Sequence, residues 1–324
     1  MQIQEAFSLI KDDIKLVEEE FKRNLSSDVY LIKKVGEYIL TSGGKRFRPL
    51  ILLLASRLCN NKKSSHIPLA VVVEFIHTAT LLHDDVVDNA ILRRGNTSAN
   101  ELWGNGASVL VGDYLLSKSF HLAVGQGNID ILETLSRTTT RMAEGEVLQL
   151  IKHSDINTTE QEYLDVITFK TAVLFSAACK IPAILAESSD EQSSSLSTFG
   201  MELGIAFQLM DDCLDYTSRD EELGKSVGND LKEGKVTLPL IKTYKEATEA
   251  EKKIIKDTVE ADELSPEKLK EIQDLIGKYE GIEYTTSFAK ERIKNAKAAL
   301  EVFPPSTERA SLEAVAEYVI ERNN

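Results

Sequence analysis

Apolar residues recur at helical spacing through most of the chain, and proline seldom interrupts them. No proline occurs between Pro68 and Pro182, or between Pro182 and Pro239, so long windows lack the strongest helix breaker. The segment from Leu69 to about Val87 is apolar on nearly every face, which predicts a central buried helix. Its β-branched run is compatible with a strand, but an apolar stretch of this length is too long for one.

A second helix of the same apolar kind is predicted from about Leu196 to Leu214. The polar segment 188–197 is predicted to be a loop between helices, and residues 246–280, rich in Glu and Lys, to form short solvated helices. No convincing pair of alternating strands is present, so we expect an all-α fold: a single-domain bundle of long helices over residues 1–324, around a central apolar cavity. Further helices are predicted near residues 5–24, 28–41, 46–59, 107–124, 128–151, 160–186, 237–248, 268–302 and 307–322.

The composition excludes several classes of protein. The 324 residues include 38 Lys and Arg against 52 Asp and Glu, a formal net charge of −14. Such a balance disfavours binding to nucleic acid or to an anionic membrane surface, because both reward a basic face. The three cysteines form no C-x-x-C pair, and neither a signal peptide nor a bilayer-spanning apolar stretch is evident. We therefore expect a cytoplasmic protein with no nucleic-acid partner and no stable membrane insertion.

Two acidic motifs of the form D-D-x-x-D end the two apolar helices: DDVVD at residues 84–88 and DDCLD at residues 211–215. The first and last aspartate of each motif are four residues apart, so they project from one helical face, where unpaired carboxylates repel one another. Hard divalent cations prefer oxygen ligands, and Mg²⁺ takes one or two carboxylates together with substrate phosphates. Both motifs therefore predict a metal–diphosphate site; solvated acidic patches are the alternative.

Three basic segments are candidates for neutralising a phosphate group. GGKRFRP (43–49) places a Gly-Gly turn and cations before an apolar helix, which suits a phosphate, although such a sequence also begins ordinary helices. Arg93 and Arg94 follow the first acidic motif by five and six residues. The segment GKSVGNDLKEGK (224–235) follows the second motif and is typical of a loop that covers a phosphate; a plain solvated loop is the alternative.

Together these segments resemble the trans-polyprenyl diphosphate synthases. The resemblance rests on GGKRFRP, LLHDDVVDNAILRRG (81–95), Lys170-Thr171, Phe207-Gln208 and GKSVGNDLKEGKVTLPL (224–240), which occur in the family order. It is greatest for bacterial enzymes that make octaprenyl diphosphate, which carry segments very similar to FIHTATLLHDDVVD and AEGEVLQL. The resemblance implies the isoprenoid synthase fold, Mg²⁺ as cofactor (about three ions) and a homodimer. It also implies a prenyltransferase that adds isopentenyl diphosphate to an allylic diphosphate such as farnesyl diphosphate, supplying quinone side chains.

Carried over residue by residue, the resemblance implies a role for each matching side chain. Isopentenyl diphosphate would be held by Lys45, Arg48, His77 and Arg94. A lone histidine on an apolar helix is otherwise usually a core residue. The allylic diphosphate or its departing charge would be bound by Arg93, Lys170, Thr171, Gln208, Lys225 and Lys235. The leading metal ligands would be Asp84, Asp88 and Asp211, with Asp85, Asp212 and Asp215 as further candidates.

The residue types agree with the chemistry that the resemblance implies. Cleavage of an allylic C–O bond leaves a carbocation and a highly charged diphosphate, which cations in a dry site stabilise. The isopentenyl double bond then attacks the carbocation and a proton leaves, for which the released diphosphate is a plausible base. No protein nucleophile is required.

Product length is predicted from the helix before the first motif. Thr80 and Ile76 lie four and eight residues before Asp84 and share its face, at steps of about 6 Å, roughly one isoprene unit. Ala79 is small, and the resemblance implies that bulky aromatic residues near these positions mark short-chain enzymes. Ala79 and Thr80 therefore predict an open tunnel and a long product, near C40. Candidates for the tunnel floor are Ile76, Val72 and Met142.

Four alternatives remain open from the sequence. The same chemistry with a shorter (C15–C20) or longer (C45–C50) product is the nearest. A class I terpene cyclase typically has a different second metal motif and no use for GGKRFRP. A non-catalytic partner subunit typically loses its acidic motifs, and a metal-buffering helical protein needs neither the lysine-rich segment nor the arginine pair.

Overall fold

The computed structural model describes residues 3–41, 46–93, 95–217, 228–261 and 264–321, and most of these residues are helical. A two-residue antiparallel hairpin, β1 (Leu92–Arg93) and β2 (Asn96–Thr97), follows the fifth helix. The helices of the first half are α1 (Ile3–Leu9), α2 (Lys11–Leu25), α3 (Tyr30–Thr41), α4 (Phe47–Leu58), α5 (His66–Val87), α6 (Ala99–Trp103), α7 (Asn105–Val124) and α8 (Ile129–Ile151).

The second half is also helical, so the predicted all-α class is confirmed. A π-helical turn (Thr168–Ala172) joins the first two helices of this half, and a 3-10 turn (Leu300–Val302) precedes the last one. The helices are α9 (Glu160–Ile167), α10 (Val173–Leu185), α11 (Asp190–Thr217), α12 (Asn229–Lys232), α13 (Leu238–Glu246), α14 (Glu249–Val259), α15 (Pro266–Lys278), α16 (Gly281–Ala299) and α17 (Thr307–Glu321).

Helix α5 lies deep in the bundle because it is apolar on nearly every side. It packs chiefly against α7, and also against α4, α2 and α10. Leu69, Val72 and Phe75 are fully buried, and the Phe75 ring meets that of Phe21 on α2 edge to face, with centroids 4.7 Å apart. Burial of each such large side chain contributes about 1.5–3 kcal/mol, so α5 gives the carboxylates at its C-terminal end a firm support.

Helix α11 begins at Asp190, which corrects the prediction of a polar loop over residues 188–197. The Ser189 hydroxyl accepts a hydrogen bond from the Gln192 N–H at 3.2 Å, as serine does at a helix start. The Ser195 hydroxyl donates to the Ala299 carbonyl oxygen, and Leu196 is fully buried. These serine-rich turns are helical because one of their faces packs against α16, a contact that composition does not reveal.

The predicted helix 268–302 was wrong in one respect, because it is divided into α15 and α16. Glu280 adopts a left-handed backbone conformation, with φ of 55°, immediately before α16 begins. A Cβ atom on Gly281 would lie only 2.5 Å from the Pro239 carbonyl oxygen. The turn therefore packs directly on α13, and glycine is needed at the point of closest approach.

Three smaller differences from the prediction concern two helices and a β-hairpin. The predicted helix 5–24 is divided at Ile10 into α1 and α2. The predicted helix 160–186 is interrupted by the π turn. The short hairpin, which pairs Leu92 with Thr97, was not predicted, and it carries Arg93 directly after the first acidic motif.

Two described segments, His66–Val87 and Glu160–Leu185, are long and apolar enough to cross a membrane. Of the most apolar window in each, 67% is buried inside the protein. The core helices of water-soluble proteins have the same length and composition, so these segments are weak evidence for a membrane span.

Candidate active site

The two acidic motifs lie at the C-terminal ends of α5 and α11. Asp84 and Asp85 belong to the last turn of α5 and Asp88 ends it, while residues 211–215 lie in the last two turns of α11. The C-terminal end of a helix carries a partial negative charge. Both helix ends therefore add to the attraction of the carboxylates for cations.

The π turn between α9 and α10 connects the two motifs. The Lys170 Nζ lies 3.7 Å from the Asp84 Oδ2 of the first motif. The hydroxyl of the next residue, Thr171, donates a hydrogen bond at 3.0 Å to the Gln208 Oε1 on α11. The sequence-predicted pair 170–171 and the glutamine before the second motif are thus brought together.

Asp85 and Asp215, one in each motif, accept hydrogen bonds from groups of the protein itself. Asp85 accepts hydrogen bonds from the Arg93 guanidinium, with 2.7 Å between Arg93 Nε and Asp85 Oδ1. Asp215 accepts from the backbone N–H groups of Asn229 and Asp230, at 3.1 and 3.0 Å, and so holds the start of α12. Both carboxylates are buried, so these contacts stabilise charges that would otherwise be costly to bury.

Asp212 is also held within the protein. Its Oδ2 accepts a hydrogen bond from the Tyr163 hydroxyl at 2.5 Å, and its Oδ1 accepts from the Gln208 side-chain amide at 2.8 Å. Burial raises the pKa of the Tyr163 hydroxyl well above its usual value, and the negative charge of Asp212 acts in the same direction, so the tyrosine keeps its proton and donates it. Asp212 therefore orients Gln208, and through it Thr171.

The remaining three aspartates are the ones that the sequence identifies as leading metal ligands. Asp211 is exposed to solvent. Asp84 and Asp88 expose 13% and 17% of their side chains, and each faces a lysine. Burial raises the pKa of Asp84; Lys170 lowers it and the charge of Asp88 raises it. Each aspartate of this pair thus faces one lysine.

Each of those lysines is shared with a glutamate from outside the motifs. Lys170 Nζ lies 2.8 Å from Glu146 Oε2. Lys235 Nζ lies 2.9 Å from Asp88 Oδ2 and 2.5 Å from Glu233 Oε2. Four carboxylates and two ammonium groups leave a net charge of −2 at this point. That deficit matches the charge of one divalent cation.

The position of Lys170 depends on a close approach between α8 and the π turn. A Cβ atom on Gly145 would lie 2.5 Å from the Lys170 backbone nitrogen. Only a hydrogen fits there, so glycine lets the π turn pack against α8 beside Glu146. Single π turns occur frequently at functional sites, because they redirect side chains without ending the helix.

The residues predicted to hold isopentenyl diphosphate are described only in part. Lys45 and Arg94, together with Lys225 of the allylic set, lie outside the described residues. The Arg48 guanidinium carbon lies 4.7 Å from the centroid of the Phe175 ring. His77 is partly buried on α5, seven residues and about 10 Å along the helix before Asp84.

Three residues near the motifs were missed by sequence reasoning: Glu146, Tyr163 and Glu233. Glu146 and Tyr163 contact residues of other helices, and Glu233 contacts Lys235 two residues further along the chain. No helical spacing rule relates any of these pairs. Glu146 lies within AEGEVLQL and Glu233 within the lysine-rich segment, so both stood in segments that the resemblance had already selected. Tyr163 lies outside the segments that carry the resemblance, so the sequence did not point to it.

Two cavities adjoin the site. One of about 110 Å³ is lined by Lys170, Thr171, Gln208, Asp212 and Lys235, with an apolar wall that includes Ile167 and Val236. The other, of about 250 Å³, lies beside Asp88, Glu146, Glu233 and Lys235. The predicted chain-length residues line neither cavity: Ile76 and Ala79 are buried in α5 and Thr80 is partly buried, so their role stays a prediction.

Comparison with known proteins agrees with this arrangement. The sequence model of the polyprenyl synthetase family matches residues 29–276. The octaprenyl diphosphate synthase of Escherichia coli is 40% identical over 323 residues, which cover 100% of both chains. The chain thus has the fold and the paired acidic motifs of a prenyltransferase, and it belongs to the polyprenyl synthetase family.

Solved structures place the fold in the same family. A polyprenyl synthase from Caulobacter crescentus, complexed with calcium and isoprenyl diphosphate, superposes with a TM-score of 0.96 at 38% identity, covering 100% of this chain and 98% of that one. A decaprenyl diphosphate synthase from Rhodobacter capsulatus gives a TM-score of 0.94 at 40% identity, with 99% of both chains covered. Membership of this family confirms the predicted prenyltransferase activity within isoprenoid biosynthesis.

Proposed function

We propose that the chain is a long-chain polyprenyl diphosphate synthase that extends an allylic diphosphate, such as farnesyl diphosphate, with isopentenyl diphosphate to about C40. One observation carries the proposal: the two lysines that face aspartates of the first motif are shared with two glutamates, so four carboxylates face two ammonium groups. The excess of carboxylates suits a divalent cation, and the lysines beside them suit the phosphate oxygens of a metal-bound diphosphate. The full-length similarity to an octaprenyl diphosphate synthase supports the product length.

The type of donor suits Mg²⁺, and Asp84, Asp88 and Asp211 are the residues that would hold it. All three offer carboxylate oxygens, the ligands that hard divalent cations prefer. The calcium in the related Caulobacter structure supports a divalent cation, and the family resemblance supports about three ions. When bound, the ions would supply Lewis-acid stabilisation of the leaving diphosphate.

The remaining roles belong to side chains of the protein. Lys170 and Lys235 bind the diphosphate as the allylic C–O bond breaks, and Gln208 orients the Thr171 hydroxyl beside it. Arg93, fixed by Asp85, contributes a further positive charge. A C–C bond then forms to isopentenyl diphosphate, and the departing proton passes to the released diphosphate. Each step is promoted by groups already in place before reaction.

The test is a product assay on the purified protein. Farnesyl diphosphate, labelled isopentenyl diphosphate and Mg²⁺ are incubated with the enzyme, with an EDTA control, and the dephosphorylated products are separated by length. We expect a peak near C40 that disappears with EDTA. A peak at C15–C20 or C45–C50 contradicts the octaprenyl assignment alone. Absence of incorporation by well-folded protein contradicts the whole proposal.

We also propose that two copies of the chain pair through the exposed faces of α7 and α8. Contiguous exposed apolar surface marks interaction sites. We expect light scattering to give about twice the chain mass of 36.0 kDa, and a single-chain mass at micromolar concentration contradicts the pairing. The apolar residues on these faces, which are 36% to 74% exposed, are Val109, Leu110, Val124, Ile129, Val147 and Leu150.

A further inference from the structure

Both lysines beside the first acidic motif have two carboxylate partners, one inside the motif and one outside it. Lys170 lies between Asp84, at 3.7 Å, and Glu146, at 2.8 Å. Lys235 lies between Asp88, at 2.9 Å, and Glu233, at 2.5 Å. In both cases the glutamate outside the motif is the nearer partner.

The two glutamates are supported independently of the motif. Glu146 belongs to α8, which Gly145 brings against the π turn. Glu233 accepts a second hydrogen bond from the Asn229 side-chain amide at 2.6 Å. The hydrogen bond from Asn229 thus holds the Glu233 side chain, and the packing of α8 fixes the backbone that carries Glu146, when the charge on Asp84 or Asp88 is taken up by a cation.

Binding of a cation requires the two aspartates to exchange partners. A lysine paired with an aspartate competes with the cation for the same oxygen atoms. The same lysine, once released, is also needed for the diphosphate. A lysine without a second partner would therefore oppose metal binding and, when displaced, would lose its defined position.

We propose that Glu146 and Glu233 are positioning residues, which hold Lys170 and Lys235 while Asp84 and Asp88 exchange a lysine for a divalent cation. The inference rests on the proposed function. The glutamates leave the aspartates available to the metal and keep both ammonium groups directed at the place where the diphosphate binds. They touch neither substrate nor reacting atoms and act through the lysines.

The test uses Glu146→Gln, which keeps the shape of the side chain and removes its charge. Calorimetry on the full chain measures the binding of Mn²⁺, and then of inorganic diphosphate at saturating Mn²⁺. We expect both affinities to fall about tenfold, an effect of the size of other couplings between neighbouring charged groups. Glu233→Gln is expected to behave in the same way.

Diphosphate affinity separates positioning from a simple charge effect, because the two predict opposite signs. Removing a negative charge near an anion lowers repulsion and tightens binding, whereas releasing Lys170 weakens it. The matched control is Glu144→Gln on the same helix: Glu144 pairs with Arg141 on the surface, and its loss should change neither affinity by more than about twofold. Unchanged or tighter diphosphate binding by Glu146→Gln overturns the proposal.

A double variant tests whether Glu146 acts through Lys170. In a Lys170→Gln background, Glu146→Gln should weaken Mn²⁺ binding less than it does in the wild type. An equal or larger effect means that Glu146 attracts the cation directly, which also overturns the proposal. If the wild-type chain binds neither probe, the proposed function itself fails; if it binds both and only the variants depart from expectation, this inference fails alone.

Discussion

Replacing Asp84 with alanine is expected to lower kcat at least about 10³-fold, which corresponds to about 4 kcal/mol in the activation barrier. The substitution removes a carboxylate that the proposed function assigns to the metal. Among the described residues, it leaves Lys170 with Glu146 as its carboxylate partner within 4 Å. Asp88→Ala should have an effect of similar size, because it changes the environment of Lys235 in the same way.

The measurement is the steady-state rate of isopentenyl diphosphate incorporation at saturating Mg²⁺, with the melting temperature recorded for each variant. Asp274→Ala is the matched control: this aspartate lies on α15, pairs with Lys270 on the surface and exposes 64% of its side chain. We expect the control to stay within about twofold of the wild type. Near-normal turnover in Asp84→Ala would exclude Asp84 from the metal site.

Replacing Ala79 with tyrosine is expected to shorten the product from about C40 to about C15–C20. Ala79 is 1% exposed and lies five residues before Asp84, about 7.5 Å along α5. If the growing chain passes this position, a phenol ring there would stop it after a few isoprene units. Separation of the dephosphorylated products by length measures the change.

Two controls accompany this prediction. Ala79→Ser keeps the side chain small and should leave the product near C40. Placing a large ring in a packed site costs about 1–3 kcal/mol, so the melting temperature of Ala79→Tyr must show that the variant is folded. A folded, active variant with the original product length would place the tunnel elsewhere.

The helices were predictable where burial follows from the residues themselves. Helix α5 is apolar on nearly every side, so its position depends little on which neighbour covers it. The first turns of α11 are different, because Ser195 and Leu196 become helical only through contact with α16. The division of the predicted helix 268–302 at Glu280 likewise depends on the packing of Gly281 against α13. Neither contact can be predicted from local helix propensity.

The candidate site shows the same contrast. The D-D-x-x-D spacing correctly placed both carboxylate groups at helix ends. It did not distinguish Asp88, which faces a lysine, from Asp215, which is held by backbone N–H groups. The distinction depends on partners brought in by other segments, such as Tyr163 for Asp212. The residue types therefore predicted the chemistry, whereas tertiary contacts determine which carboxylate oxygens of the motifs are accessible to a metal ion.

The π turn at Thr168–Ala172 also restricts how this enzyme can change. Such a turn holds one residue more than an α-helix of the same span. Deleting that residue would restore a regular helix, yet it would rotate α9 by about 100° relative to α10. Tyr163 lies on α9, before the turn, and Thr171 lies within it, and both contact residues of α11. The rotation would therefore prevent them from keeping both of these partners. The length of this segment is therefore under functional constraint, although both of its neighbours are ordinary helices.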